Sequence, residues 1–127
     1  MVVDAARSSS FGSILTDVSG RSLYLLTSES GGKFTCTQGL CTSFWPPVLV
    51  PAGTTNVSGG PGVKGNVGVV KRPEGSFQVT YNGWPVYRYS NDSAAGATGG
   101  EGVQSFGGTW YLLAPGATTA SASEIKG

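Results

Sequence analysis

Glycine and proline interrupt this chain more often than a helical fold can bear: 21 Gly and 7 Pro are spread through 127 residues. A glycine in a helix interior costs about 1 kcal/mol and a proline about 3, so many helices are excluded. Between the breakers, apolar residues come in short bursts bounded by Gly, Ser, Asn and Pro, which is the spacing of strands and turns. The length suits one domain with one core. The expected fold is all-β, a compact sandwich or barrel-like domain.

Local signals place the strands. Ile14 to Thr16 leads through Asp17-Val18-Ser19-Gly20 into Leu23 to Thr27 as a hairpin. From Val67 to Tyr89, the bursts Val69-Val70, Phe77 to Tyr81 and Val86 to Tyr89 are parted by Pro73-Glu74-Gly75 and Asn82-Gly83. Asn-Gly accepts the positive φ angles of a type I′ turn, so a three-stranded meander is expected. Thr109 to Leu113 reads as the last strand, because Trp and Tyr suit a half-buried pleated surface. Residues 1–10 read as a flexible lead, 11–113 as the β domain and 114–127 as a flexible tail or linker. Pro51 to Gly65 is turn-rich, with little to bury. The start lacks the basic and apolar regions of a signal peptide, so the expectation is that a native signal was trimmed and Met1 supplied for expression.

An internal echo organises the domain. Gly20-Arg21-Ser22-Leu23-Tyr24-Leu25-Leu26 resembles Gly83-Trp84-Pro85-Val86-Tyr87-Arg88-Tyr89, each residue 63 positions on (24 to 87). Ser28-Glu29 recurs as Asn91-Asp92, and each half later reaches a tryptophan, Trp45 or Trp110. Matching halves, about 12–50 and 67–113, imply two related β units packed face to face around a shared core.

Composition narrows the chemistry. Histidine is absent, which removes the commonest general base, the Ser/His and Cys/His nucleophile pairs and the commonest metal ligand together. Met1 is the sole methionine, so Met/His haem ligation is excluded as well. A net charge of +1 makes no electrostatic case for nucleic acid or an anionic membrane. No apolar run approaches the roughly 20 residues of a transmembrane helix. Charged residues make up only 12%, so solubility rests on Ser, Thr, Gly and Asn, a balance associated with secreted proteins.

Few residues carry candidate chemistry. Cys36 and Cys41 have four residues between them, and Gly39 can supply the turn that brings the sulfurs together. A short-loop disulfide worth about 2 kcal/mol is the favoured reading; a redox dithiol or metal clip is the alternative. Trp45-Pro46-Pro47 reads as a core plug beside that pair, or as an interface anchor. Tyr24, Tyr81, Trp84, Tyr87, Tyr89 and Tyr111 offer an aromatic platform. Tyr87 and Tyr89 share one side of a strand, so if they face the core, Trp84 and Arg88 remain as the exposed pair. The loop Asn91 to Gly102 carries Asp92, Glu101 and many carbonyls, the oxygen ligands calcium prefers, without an EF-hand spacing; the favoured role of Asp92 is capping a turn. Whether any metal binds is left open. Ser30-Gly31-Gly32-Lys33 spells Ser-x-x-Lys without the other elements of a serine acyl-enzyme. Asp17, Glu29, Glu74, Asp92 and Glu101 could pair for glycoside hydrolysis only at distances that sequence does not supply. Asn56-Val57-Ser58 and Asn91-Asp92-Ser93 are sequons that matter only in a eukaryotic host.

The run Tyr87-Arg88-Tyr89-Ser90-Asn91-Asp92 has the pattern Tyr, any residue, aromatic, two residues, Asp. With Asn82-Gly83 and Pro85-Val86 before it, Cys36, Cys41 and Trp45-Pro46-Pro47 upstream, and Gly108-Thr109-Trp110 closing it, the chain resembles a bacterial secreted-repeat lipoprotein family of unknown function. The likeness spans roughly Ile14 to Leu113, and the first copy is degenerate, with Leu26 for the aromatic and Glu29 for Asp. The resemblance implies a secreted or envelope-anchored bacterial protein, although no lipobox is visible. The expected role is a non-catalytic structural or interaction domain, without cofactor, for a protein or envelope partner, with self-association through strand edges as a further route. The alternatives are a saccharide or metal binder using Trp84, Arg88, Asp92 and Glu101, and a redox accessory using the cysteine pair.

Overall fold

A computed structural model describes residues 2–8, 11–54 and 56–115. The fold is mostly β, as expected. The strands are β1 (Asp4–Ser8), β2 (Gly12–Thr16), β3 (Tyr24–Leu26), β4 (Leu49–Val50), β5 (Val67–Lys71), β6 (Phe77–Tyr81), β7 (Trp84–Pro85), β8 (Gln104–Ser105) and β9 (Gly108–Leu112). A 3₁₀ segment, Thr27–Gly32, and one short helix, α1 (Leu40–Phe44), lie between β3 and β4. No helix among the described residues is long and apolar enough to cross a membrane.

The strands form three sheets, ordered β1-β2, β3-β9-β8 and β4-β6-β5, with β7 also on β6. The expected meander is present as β5-β6-β7, except that its third strand is Trp84–Pro85 and not Val86 to Tyr89, where Tyr87 bridges Tyr24 and Pro47 instead. Its second turn has Asn82 at φ 50° and Gly83 at φ 85°, the two positive angles that a type I′ turn needs. The expected last strand is β9. Asp4–Ser8, read as part of a flexible lead, is instead a strand paired along its length with β2. Its small and polar residues gave no strand signal, and the pairing partner supplies the order. Met1, Ser9 and Ser10 of that lead, and residues 116–127 of the expected tail, lie outside the described residues.

The echo seen in the sequence is a structural repeat. In the first hairpin Asp4, Ala5, Ala6 and Arg7 face Thr16, Leu15, Ile14 and Ser13; in the second, Gly68, Val69, Val70 and Lys71 face Thr80, Val79, Gln78 and Phe77. Every pair is displaced by the same 64 positions (4 to 68, 16 to 80), so the registers are identical. The turn that follows the first hairpin is one residue longer than its counterpart after the second: the Leu23 N–H reaches back to the Leu15 carbonyl, whereas that of Val86 reaches the Val79 carbonyl. That extra residue is why the displacement drops to 63 at Tyr24 and Tyr87.

The two halves do more than pack face to face. They join edge to edge where Tyr24 and Tyr87 exchange both backbone hydrogen bonds, at 2.8 and 3.0 Å. Each half also gives its last strand to the other. Val48 of the first half bonds Val79 and Val86 of the second, and Leu113 of the second bonds Leu15 and Leu23 of the first.

Leu23, Tyr24, Leu25 and Leu26 are all fully buried, because alternate residues of this ribbon face two different apolar clusters. Leu23 and Leu25 join Val3, Leu15, Val79, Tyr81, Val86 and Leu113 on one side. Tyr24 and Leu26 join Ile14, Cys36, Cys41, Trp45, Tyr87, Trp110 and Leu112 on the other.

Candidate functional site

The chemistry-bearing residues gather in the second cluster, on the line where the halves meet. Trp45 and Trp110 stack nearly parallel, 3.9 Å between centroids and 3° between planes. Tyr24 meets Trp45 edge-on at 5.5 Å, and Tyr87 meets Trp110 edge-on at 5.2 Å. Tyr89 stacks on the other face of Trp45 at 4.2 Å. Trp45 is thus buried among core residues beside the cysteines, the favoured sequence reading.

Two tyrosine–carboxylate pairs flank the stack, and both cross between the halves. The Tyr24 hydroxyl donates to Asp92 Oδ2 at 2.5 Å, and the Tyr87 hydroxyl donates to Glu29 Oε2 at 2.9 Å. Asp92 and Glu29 are themselves repeat equivalents, 63 positions apart (29 to 92). Each also accepts a backbone N–H from the loop that follows it: Gly99 donates to Asp92 Oδ1 at 2.8 Å, and Thr35 and Cys36 donate to Glu29 Oε2 at 2.9 and 3.0 Å. Burial is the main cause raising the pKa of both phenols, so they stay protonated and act as donors.

Around Glu29 the two sites differ. Glu29 is fully buried, its Oε1 has no hydrogen-bond partner, and burial pushes its pKa up. Beside it lies Arg72, only 1% exposed. Its guanidinium donates to Glu74 Oε2 at 2.8 Å, to Gln78 Oε1 at 2.6 Å, to the Tyr87 hydroxyl at 3.2 Å and to the Cys36 carbonyl at 2.6 Å. It also lies over the rings of Phe34 and Tyr87, at 5.2 and 5.9 Å. Shifting by the hairpin displacement puts Ser8 at the matching position of the first half (8 to 72), so the Asp92 site has no corresponding arginine. Arg72 was not visible as a site residue in the sequence, where it merely ends a strand beside Lys71. The echo matches Tyr24 with Tyr87 and Glu29 with Asp92 as equivalents, and the ties between tyrosine and carboxylate come from the structure.

Cys36 and Cys41 form the expected disulfide, with Cα atoms 5.4 Å apart and both residues buried. The loop it closes presents the Cys36 backbone, which accepts from Arg72 and Tyr87 and donates to Glu29.

The four residues suggested for ligand binding stand in different surroundings. Trp84 is half-buried against the first cluster. Asp92 is buried, bonded to Tyr24 and Gly99 in the second. Glu101 Oε1 accepts the Leu112 N–H at 2.8 Å. Arg88 is partly buried, its N–H bonded to the Pro46 carbonyl. The remaining motif residues are structural in position: Pro47 pairs with Tyr87, and Asn82 Oδ1 accepts the Asn66 N–H at 2.8 Å. Asp92 ties the start of its loop to Gly99, the capping role favoured over calcium binding. Among the described residues, no group of three or more His, Cys, Asp or Glu side chains converges as metal ligands would.

Neither the curated proteins nor the solved structures contain a match to this chain. Residues 68–114, the second half with its Tyr87 to Asp92 run and Trp110, match the model of a family described as a secreted repeat of unknown function.

Proposed function

We propose that this domain is a non-catalytic structural or interaction module of the bacterial cell envelope or its exterior. One observation carries the reading: the phenols and carboxylates that could perform chemistry, Tyr24, Tyr87, Glu29 and Asp92, are buried and spent on one another across the join between halves. A general acid or base must reach a substrate proton within hydrogen-bond distance, and these groups face the core. The disulfide supports the same reading, since both cysteines are buried and bonded, whereas reactive thiols sit at accessible, electropositive places.

Thermal unfolding with EDTA, calcium, zinc, copper and a panel of saccharides tests this reading, alongside chromogenic ester, glycoside and phosphate substrates. The expected result is an unchanged Tm throughout and no turnover. A ligand that binds the folded state must raise Tm as its concentration passes Kd, so a saturable rise with any ion or sugar would replace the module by a binder. Turnover abolished by Glu29→Gln or Asp92→Asn would make it an enzyme.

A further inference from the structure

The most unusual feature of the molecule is that neither half is complete without the other. The first hairpin, β1-β2, receives its next backbone partner from Leu113 of the second half, and the second hairpin, β5-β6, receives Val48 and β4 from the first. The carboxylates are exchanged in the same sense, Asp92 to Tyr24 and Glu29 to Tyr87. Trp45 and Trp110, 65 positions apart like Pro47 and Leu112, meet face to face on the line between the halves. The interface is therefore built of like parts facing like parts, the arrangement of a two-fold dimer enclosed in one chain.

Only one connection decides that the two halves come from the same molecule. It runs over residues 51–66, from the end of β4 to the start of β5. Both strands are antiparallel to β6 and flank it, Val50 and Lys71 opposite Phe77, and Val67 opposite Tyr81. At about 4.8 Å between strands and 3.3 Å per residue, Val50 and Val67 lie roughly 16 Å apart. Little of the join between halves depends on this connection. Its contacts include the Ser58 carbonyl and Gly60 N–H on Val2 and Val3, and the Lys64 carbonyl on the Tyr81 hydroxyl.

We propose that the partner this module is built to engage is a second copy of its own repeat, with the first half of one chain seated on the second half of another. The inference rests on the interaction-module reading and names its partner. Every contact across the join, from the Tyr24–Tyr87 backbone pair to the tryptophan stack, is retained in such an exchange, and only the path of residues 51–66 changes. The native connection spans its ends with slack, so closure within one chain competes with exchange; a connection too short to span them leaves exchange between molecules as the way to form the join.

The test is a variant of the full chain lacking residues 52–65, which leaves Pro51 and Asn66 between the halves. Three Cα–Cα steps of 3.8 Å reach about 11 Å, too short for the separation of roughly 16 Å, so the halves of one molecule cannot meet. The expected result is a doubling of the mass in solution by light scattering, with the near-ultraviolet circular dichroism of the packed tryptophans kept. A folded monomer would overturn the proposal. If the variant does not fold, the unaltered chain decides: it is refolded from denaturant at about ten micromolar to about one millimolar. A dimer fraction that rises with concentration, keeps the tryptophan signal and reverts only through unfolding supports exchange, and monomer across the range refutes it. Neither arm uses ions, sugars or substrates, so failure here leaves the module reading to its own assays.

Discussion

Trp45 and Trp110 hold equivalent places in the two halves, and their rings lie 3.9 Å apart and almost parallel. Each is also met edge-on by a tyrosine of its own half, Tyr24 or Tyr87. The stack is thus the centre of the join between halves.

Replacing either tryptophan by alanine is expected to cost about 3–5 kcal/mol, the range for a buried Trp. The two changes should not add: a double-mutant cycle is expected to return a coupling of about 0.5–1.5 kcal/mol for the ring pair. Urea midpoints of the four proteins measure it. Additivity would mean that the rings merely fill space independently.

Tyr24→Phe removes the one hydroxyl that reaches Asp92 Oδ2 and leaves that buried oxygen bare. The expected loss is about 1–3 kcal/mol, the cost of leaving a buried polar group unsatisfied. Asp92→Asn should cost less, because its amide oxygen still accepts one of the two donors, the Tyr24 hydroxyl or the Gly99 N–H, whereas Tyr24→Phe also leaves the buried Gly100 N–H without its acceptor. If denaturant unfolding ranks the two the other way, the hydroxyl is not what holds Asp92.

Reduction of Cys36–Cys41 is expected to remove about 2 kcal/mol through the short closed loop. A further loss should follow, because the Cys36 backbone holds Arg72, Tyr87 and Glu29 in place. Melting with and without dithiothreitol, compared with the same pair of melts for Arg72→Met, separates the two parts: the reductant should take more from the parent than from the variant. Equal losses would show that the disulfide loop and Arg72 act separately.

Burial raises the pKa of Glu29 above its ordinary value, so folding favours its protonated form. Its contribution is full below the unfolded carboxylate pKa and is lost as pH rises through the folded value. The parent should therefore lose stability relative to Glu29→Gln as pH is raised through that window. The difference between the two Tm–pH curves isolates the residue from the other titrating groups. A flat difference would place Glu29 in its charged form throughout, held by its backbone donors and the nearby Arg72.

Much of this was written in local sequence. The Asn82-Gly83 turn, the strands on either side of it and the last strand needed only glycine chemistry and apolar spacing, which act over a few residues. The 63-residue echo announced two like units and marked Tyr24, Tyr87, Glu29 and Asp92 as counterparts. Contacts between distant residues were not legible. Asp4–Ser8 has no strand signal of its own and becomes one through β2, and Arg72 looks like an ordinary strand-end cation until Cys36, Gln78 and Tyr87 surround it. The surroundings of Trp84, Arg88, Asp92 and Glu101 were not legible for the same reason, since adjacency along a loop says nothing about which cluster a side chain joins. Sequence by itself determined the all-β class, the turns, the cysteine pair and the existence of two matching halves. The tertiary structure alone decided that the halves exchange strands and carboxylates, because the desolvation of a phenol, a carboxylate or a guanidinium is offset only by partners that folding brings from the other half.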